Sequence, residues 1–242
     1  MCERYVMPEG EQAEREFGVV RRWWQFAPSF NVAPSRYVPV IRMHDGEVEG
    51  VMLRWGLIPD WAEADASKSC AATASFANVS HSPATRGAWE LGRRCIVPMF
   101  GFYTWQPTWQ GHRQPYFVRL VNRAVFGVAA VWDRSEADGG DDVIEGCALI
   151  TVPPNPLLAE VQGSTTQMPA ILDQRDYAVW LTASPVVAKT VLKQLRQECM
   201  LAHPVSPRVN SFRYDDPQLI RPVEPVMRRA LGPASAARRM SG

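Results

Sequence analysis

The sequence contains few cysteines, and they are widely separated. Its 242 residues include five cysteines, with no CxxC pair and no histidine cluster beside any of them. An odd number of isolated thiols argues against a disulfide framework, and the lack of closely spaced ligand pairs argues against a zinc site. We therefore expect neither a metal nor another cofactor. Cys70, Cys95 and Cys147 lie in apolar contexts that predict inert thiols in the core.

Long apolar runs and an excess of one charge are also absent. No apolar run approaches the roughly 20 residues that a membrane-spanning helix needs, and no signal-peptide pattern is seen at the N-terminus. We therefore expect a cytoplasmic protein without a membrane partner. The formal net charge of +1 excludes neither a nucleic acid nor a protein partner. Binding to DNA depends on how basic residues are arranged on the surface, and the total charge does not report that.

The composition is typical of one globular domain rich in β-structure. With 46% hydrophobic and 21% charged residues the chain can bury a sizeable core, and we favour one large domain over two small ones. Nine tryptophans and twenty prolines indicate a loop-rich β architecture with aromatic side chains available for stacking.

Local patterns predict an α+β fold with mostly antiparallel strand pairing. Residues 37–43 and 47–55 flank Asp45-Gly46, a dipeptide typical of a hairpin turn. Further strands are predicted at residues 94–98, 101–105, 116–121, 124–132 and 146–152. Helices are predicted at residues 8–17, 174–181 and 184–200, and surface loops at residues 136–142 and 153–167. Residues 1–222 then form the domain, and residues 223–242 a disordered basic tail.

Cys2 is the residue with the most distinctive chemistry. It follows Met1 directly, so removal of Met1 would leave an amine and a thiol on adjacent carbons. An α-amine has a pKa of about 7.7–8.0 and a thiol one of about 8.5, so both groups are partly deprotonated near neutrality. The amine can form a Schiff base with an aldehyde, and the thiolate can then close a thiazolidine ring on the same carbon. The alternative is a small residue at a mobile terminus without a reaction.

Several ordered segments resemble the SRAP family, the SOS response-associated peptidases that are now regarded as abasic-site processing proteins. They are MCERY at residues 1–5, FNVAP at 30–34, RWGLIPDWA at 54–62, RCIVPMFGFYTW at 94–105, PYF at 115–117, FGVA at 126–129, MPAIL at 168–172 and VSPRVN at 205–210. The resemblance covers roughly residues 2–222, nearly all of the chain except the tail. Each segment alone is weak, whereas their order and spacing together are specific.

The resemblance implies a β-barrel-like α+β domain with peripheral helices, a groove for single-stranded DNA, and Cys2 exposed at the centre of that groove. The expected partner is single-stranded DNA with an abasic site, whose open-chain aldehyde would form a thiazolidine crosslink with Cys2. We expect a monomer that associates with the nucleoid when it is bound to DNA, although the sequence alone does not fix the oligomeric state.

Four side chains would contact the DNA in the family. Arg4, Arg54 and Arg208 would contact phosphates, and Trp61 would stack on a base. The alternatives that remain open are structural ion pairs for Arg4 and Arg54, a turn with an exposed charge for Arg208, and core packing for Trp61. For Asn210, in the same family segment as Arg208, we expect a buried amide that fixes a turn beside the N-terminal strand.

Three of the four family site residues, an Asn, a Glu and a His, are replaced in this chain, whereas Cys2 is present. The family motif Asn-Ala-Arg-Ala-Glu corresponds to residues 71–75, which read AATAS, so its amide, guanidinium and carboxylate are missing. The proton-transferring Glu of the family corresponds to Thr104. The family motif His-Asp-Arg-Met-Pro corresponds to residues 165–169, which read TTQMP, so Thr165 stands in place of its His and Gln167 in place of its Arg. A hydroxyl cannot serve as a general base near neutral pH. His81, Asp60 and Asp133 are the candidates for substitutes.

These observations predict a protein that binds single-stranded DNA and captures abasic sites slowly through Cys2, as part of a DNA-damage response. Peptidase or lyase turnover is expected to be strongly impaired, because a general acid or base typically contributes about 10²–10⁴-fold. The alternative is a catalytically silent relative that acts as a DNA-binding or protein-interaction module. A thiol hydrolase acting on peptides, with Cys2 as nucleophile, ranks third because no positioned base is visible.

Overall fold

The computed structural model of the protein describes residues 3–58, 70–108, 111–136, 143–163 and 167–224. The strands are β1 (Tyr5–Val6), β2 (Arg21–Arg22), β3 (Tyr37–His44), β4 (Glu47–Trp55), β5 (Thr73–Ser75), β6 (Arg94–Met99), β7 (Gly101–Pro107), β8 (Arg113–Leu120), β9 (Phe126–Glu136), β10 (Val143–Val152), β11 (Met168–Pro169) and β12 (Met200–Pro204). The helices are α1 (Gly10–Phe17), α2 (Arg86–Glu90), α3 (Pro156–Gln162), α4 (Tyr177–Thr182) and α5 (Pro185–Thr190).

Five strands form a closed barrel. The order is β10, β9, β6, β3 and β4, and β4 pairs again with β10 to close the ring. The closing pair is parallel, whereas the other four pairings are antiparallel. Strands β2, β5 and β11 extend the sheet at the barrel margin. The prediction of a single α+β domain on a mostly antiparallel, barrel-like sheet is confirmed.

Barrel closure depends on a close approach of two backbones at a glycine. Gly146 on β10 lies opposite Arg54 on β4, and a Cβ atom at Gly146 would lie 2.6 Å from the carbonyl oxygen of Gly56. The N–H of Gly56 in turn donates to the carbonyl of Cys147 at 2.7 Å. A side chain at position 146 would push the two strands apart, so glycine is required where the ring closes.

A second sheet carries the N-terminal strand. Its order is β1, β7, β8 and β12, and all three pairings are antiparallel. Tyr103 and Phe117 form a small separate core with Val6, Val205 and Val209. This core joins β1 to the C-terminal part of the domain.

The structure confirms the predicted hairpin and corrects two other elements. Asp45 and Gly46 both adopt positive φ angles, of 50° and 79°, as a tight hairpin turn requires. The predicted helix at residues 184–200 is wrong beyond Thr190, because Met200–Pro204 pairs with β8 and the gain from sheet pairing outweighs helix propensity. The predicted loop at residues 153–167 contains α3, which Asn155 caps.

Several predictions fall outside the described residues. These include the basic tail from residue 225 onward and most of the loop predicted at residues 136–142. Within the described ranges, no helix is long and apolar enough to cross a membrane.

Candidate nucleic-acid interface

The strand that follows Cys2 is fixed by buried contacts. Tyr5 exchanges backbone hydrogen bonds with Val32 and pairs with Phe102 on β7, and the N–H of Tyr103 donates to the carbonyl of Arg4. The Tyr5 ring is buried and packs edge-on against Trp55, with 5.4 Å between the ring centroids. The backbone is therefore rigid from Arg4 onward. Cys2 itself lies outside the described residues.

The side chain of Arg4 is held by the C-terminal part of the domain. One guanidinium nitrogen donates to Oδ1 of Asn31 at 2.8 Å and to the carbonyl of Val209 at 3.0 Å. The guanidinium carbon lies 3.9 Å from the centroid of the Phe212 ring. Burial lowers the pKa of Arg4, and the neighbouring Glu3 carboxylate acts in the opposite direction. A guanidinium remains charged under these conditions, so Arg4 is a fixed positive group.

Asn31 organises the turn that Arg4 contacts. Its amide nitrogen donates to the carbonyls of Val209, Ser211 and Tyr214, at 3.3, 3.1 and 2.9 Å. The prediction that Asn210 is this buried amide is wrong. Asn210 ends a short 3₁₀ helix on the surface, where its Oδ1 accepts a hydrogen bond from the Trp105 indole. The amide that fixes the turn is in FNVAP and not in VSPRVN.

Arg208 lies in the same C-terminal turn as the residues that hold Arg4. Its guanidinium carbon is 4.2 Å from the centroid of the Tyr214 ring, and a nitrogen is 2.9 Å from the Asp216 carboxylate. The structure therefore brings Arg4 and Arg208 to one segment, residues 207–216, which we name the aromatic turn. Phe212 and Tyr214 were not predicted as site residues, although basic and aromatic residues interleave in this segment.

Arg54 occupies a different position, beside the barrel closure. Its guanidinium donates to the carbonyl of Gly56 at 3.2 Å, to the sulfur of Cys70 at 3.3 Å and to the hydroxyl of Ser35 at 3.1 Å. These contacts fix the backbone beyond β4. Trp61, the predicted stacking residue, lies outside the described residues.

The positions that the resemblance aligns with the family's site residues carry neutral side chains in this chain. Thr104 is only 2% exposed on β7. Ser75 and Gln167 stand where the family pattern has Glu and Arg, and the Gln167 amide donates to the Ser75 hydroxyl at 3.3 Å. A neutral hydrogen bond thus joins two positions that carry opposite charges in the family pattern. Thr165 lies outside the described residues.

The three residues predicted as substitutes for the missing acid–base groups lie in different places. His81 lines a cavity of about 370 Å³ together with Thr73, Ser75 and five further residues, Ala71, Ala74, Asn78, Ser82 and Thr85. Asp133 is paired with Arg93, and Asp60 lies outside the described residues. Over the described part of the chain, no three His, Cys, Asp or Glu side chains are grouped in a way that could hold a metal ion.

Comparisons with known proteins agree on one family. The profile of the SOS response associated peptidase (SRAP) family matches residues 1–212. The chain is 30% identical over 200 residues to the abasic site processing protein YoqW of Bacillus subtilis (strain 168), covering 81% of this chain and 87% of that protein. It is 30% identical over 236 residues to the abasic site processing protein HMCES of Gallus gallus, and the match covers 83% of this chain and 68% of that protein. A crystal structure of a protein from Bacteroides thetaiotaomicron has a TM-score of 0.82 at 23% identity, covering 92% of this chain and 100% of that one. The chain therefore belongs to the SRAP family.

Proposed function

We propose that this protein binds single-stranded DNA and captures abasic sites covalently through Cys2 after removal of Met1. Membership of the SRAP family supports the proposal, as do the relatives whose names describe abasic site processing. The observation that carries it is the fixed arrangement of Arg4, which lies two positions after Cys2 with Glu3 between them. Two residues span at most about 7 Å, so a strand that reacts with Cys2 would pass beside that guanidinium.

The proposed reaction needs no group beyond the aminothiol and the aldehyde. The amine of Cys2 adds to the aldehyde carbon of the open abasic sugar and water leaves, which gives an imine. The thiol then adds across the C=N bond, with sulfur bonding to carbon and the proton passing to nitrogen. The net change is one C–N bond, one C–S bond and the loss of one water. The charge of Arg4 would hold a phosphate next to the reacting carbon.

The lack of a carboxyl group at position 104 sets the expected rate of adduct formation. Moving along β1 towards the N-terminus, its antiparallel register with β7 runs from Phe102 towards Thr104. The buried Thr104 hydroxyl can accept or donate a hydrogen bond, but it cannot exchange a proton as a carboxylic acid does near neutrality. Capture should therefore be slow, and turnover as a lyase or peptidase strongly impaired.

A DNA-binding or protein-interaction module without any reaction is the second candidate. The neutral Ser75–Gln167 hydrogen bond favours it, because this bond stands where the family pattern has two opposite charges. In this alternative Arg4 and Arg208 would still contact DNA, and Cys2 would have no partner aldehyde.

Intact mass spectrometry separates the two candidates. The purified protein would be incubated for hours with a short single-stranded oligonucleotide that carries one abasic site. We expect a species equal to the protein without Met1 plus the oligonucleotide, less one water. The Cys2→Ala variant should give no such species after mild acid removes imines.

A processed wild-type chain without an adduct would leave the module as the function, provided that it still binds the oligonucleotide. The Cys2→Ser variant is the matched control, because it keeps the amine and the size of the side chain. It should give an imine that borohydride traps, but no thiazolidine. A stable adduct in Cys2→Ser without borohydride would contradict the proposed ring closure.

A further inference from the structure

The aromatic turn exposes an apolar ring next to a fixed charge. Phe212 is 71% exposed, although the Arg4 guanidinium lies 3.9 Å from its centroid. A guanidinium at this distance covers one face of a ring, so the exposed area belongs to the opposite face and the edge. The exposed part of the ring is thus open to a planar group that approaches from solvent.

The ring is held in place by the contacts beneath it. Arg4 is bonded to Asn31 and to the carbonyl of Val209, and Asn31 also holds the carbonyl of Ser211, the residue before Phe212. The backbone before and after the ring, at Ser211 and Tyr214, is thus tied to Asn31, whose neighbour Val32 pairs with Tyr5 on β1. A pre-organised aromatic face loses little entropy when a planar ligand stacks on it.

Charged side chains surround the exposed ring. Arg4 lies against one face of Phe212, and the exposed Arg213 is the next residue along the chain. Three carboxylates lie in the same segments: Asp216 pairs with Arg208, Asp215 accepts from the Ser29 hydroxyl, and Glu3 precedes Arg4. A strand with negative phosphates and planar bases matches this combination of cations and an apolar face.

We propose that Phe212 is a stacking site for a nucleobase of single-stranded DNA, with Arg4 supporting the ring from behind. The site rests on the proposed function, because it assumes that the strand passes over the N-terminal strand β1. The contact that it adds is made by the flat face of the nucleobase, and it does not involve the hydrogen-bonding groups at the edge of the base. Every base has such a face, so the contact is independent of sequence.

The test compares two strands of equal length and charge, an oligothymidylate and a strand of tetrahydrofuran abasic analogues that has no bases. Equilibrium binding is measured by fluorescence anisotropy. Phe212→Ala should weaken binding of the oligothymidylate by roughly 5- to 150-fold, the range found for loss of one stacked base. It should leave binding of the base-free strand unchanged, and Phe212→Trp should bind the oligothymidylate at least as tightly as the wild type.

Trp23→Ala is the matched control. Trp23 is 70% exposed, but it lies beside β2 at the edge of the other sheet, where its backbone N–H donates to the carbonyl of Gly50. The Trp23→Ala variant should bind both strands like the wild type. That result would show that the loss of an exposed aromatic side chain elsewhere on the surface does not weaken binding. Circular dichroism would verify that both alanine variants fold.

Two results overturn the stacking site alone. Equal affinity of Phe212→Ala and wild type for the oligothymidylate removes it, and so does an equal loss for both strands, since that would be an effect on phosphate contacts. A wild-type protein that binds neither strand overturns the proposed DNA binding together with this site. Binding of DNA without an abasic-site adduct would count against the Cys2 reaction and leave Phe212 to be judged by its own variants.

Discussion

Arg42 on β3 and Glu49 on β4 face each other across the hairpin and form an ion pair of 2.6 Å. Their side chains are only 12% and 4% exposed. A second nitrogen of Arg42 lies 3.0 Å from the Glu145 carboxylate on β10, and its guanidinium carbon is 4.3 Å from the Trp132 ring on β9. The guanidinium of Arg42 thus links four of the five barrel strands, β3, β4, β9 and β10, and these include the parallel pair β4–β10 that closes the barrel.

Replacing Arg42 by Met should destabilise the fold by about 3–5 kcal/mol, the usual cost of removing one partner of a buried ion pair. Methionine keeps the packing against Trp132 and leaves two carboxylates without their cation. Urea unfolding followed by circular dichroism measures the change. Arg134→Met is the control, because Arg134 approaches the same Glu145 at 3.8 Å with a side chain that is 56% exposed. Its loss should cost less than about 1 kcal/mol, and equal losses in both variants would refute the argument.

Asn31→Asp should loosen the aromatic turn while leaving the barrel intact. The change replaces an amide donor by a carboxylate that faces the carbonyls of Val209, Ser211 and Tyr214. The carbonyl of Val209 keeps the hydrogen bond from Arg4, whereas those of Ser211 and Tyr214 lose the Asn31 donor. A carbonyl left without a donor inside the turn costs about 1–3 kcal/mol. Hydrogen exchange should show lost protection at residues 207–216 and unchanged protection in β3 and β4.

Asn210→Asp is the matched variant for that measurement. Asn210 lies on the surface of the same turn, and its Oδ1 accepts the Trp105 indole N–H, which an aspartate can also do. We expect little change in exchange anywhere. If Asn210→Asp loosened the turn more than Asn31→Asp, the sequence-based assignment of the buried amide would have been correct after all.

Local sequence patterns predicted the elements whose stability is itself local. The turn at Asp45-Gly46 requires two positive φ angles and the sequence supplies residues that tolerate them. The barrel closure could not be predicted in this way, because Gly146 matters only through the carbonyl of Gly56, about ninety residues away. The strand at Met200–Pro204 was missed for a similar reason, since its partner β8 lies far back in the chain.

The candidate site likewise contains residues that the sequence could predict and others that it could not. The family segments MCERY and VSPRVN, near the two ends of the domain, contain Arg4 and Arg208, which were predicted to be site residues. The structure brings both arginines to the aromatic turn. The two segments could not reveal that Asn31 is the amide between them, because an asparagine in a loop has no pattern that identifies its partners. The Ser75–Gln167 bond was equally hidden, although two simultaneous departures from the family pattern were a signal that the positions are coupled.

Alkylation of the native protein at pH 8 should modify Cys70 and Cys199 but not Cys95 or Cys147. Burial raises the pKa of Cys147 to about 12, with a smaller contribution from Cys70, and burial also raises the pKa of Cys95. A raised pKa keeps a thiol protonated, so at pH 8 only about 10⁻⁴ of Cys147 would be thiolate. The prediction of an inert core thiol at Cys70 is wrong, because Cys70 is partly exposed.

Peptide mapping after iodoacetamide treatment measures the labelling. The same reaction in 8 M urea is the control, where every cysteine should react because burial is lost. Raising the pH of the native sample from 8 to 10 should still leave Cys147 unlabelled, since that pH stays below its raised pKa. Labelling of Cys95 or Cys147 in the folded chain at pH 8 would show that the core opens more readily than its packing indicates.

Thr104→Glu should restore acid catalysis, if the wild type forms the Cys2 adduct. Position 104 is buried on β7, so loss of hydration would raise the pKa of a carboxyl there towards the range of a general acid near neutral pH. Adduct formation or reversal should become about 10²–10⁴-fold faster. Because the acid must be protonated to act, the acceleration should fall as pH rises through its pKa, a limb that the wild type lacks. Thr104→Gln has the same shape without the proton and should give no acceleration; equal rates in the two variants would show that the position does not reach the reacting atoms.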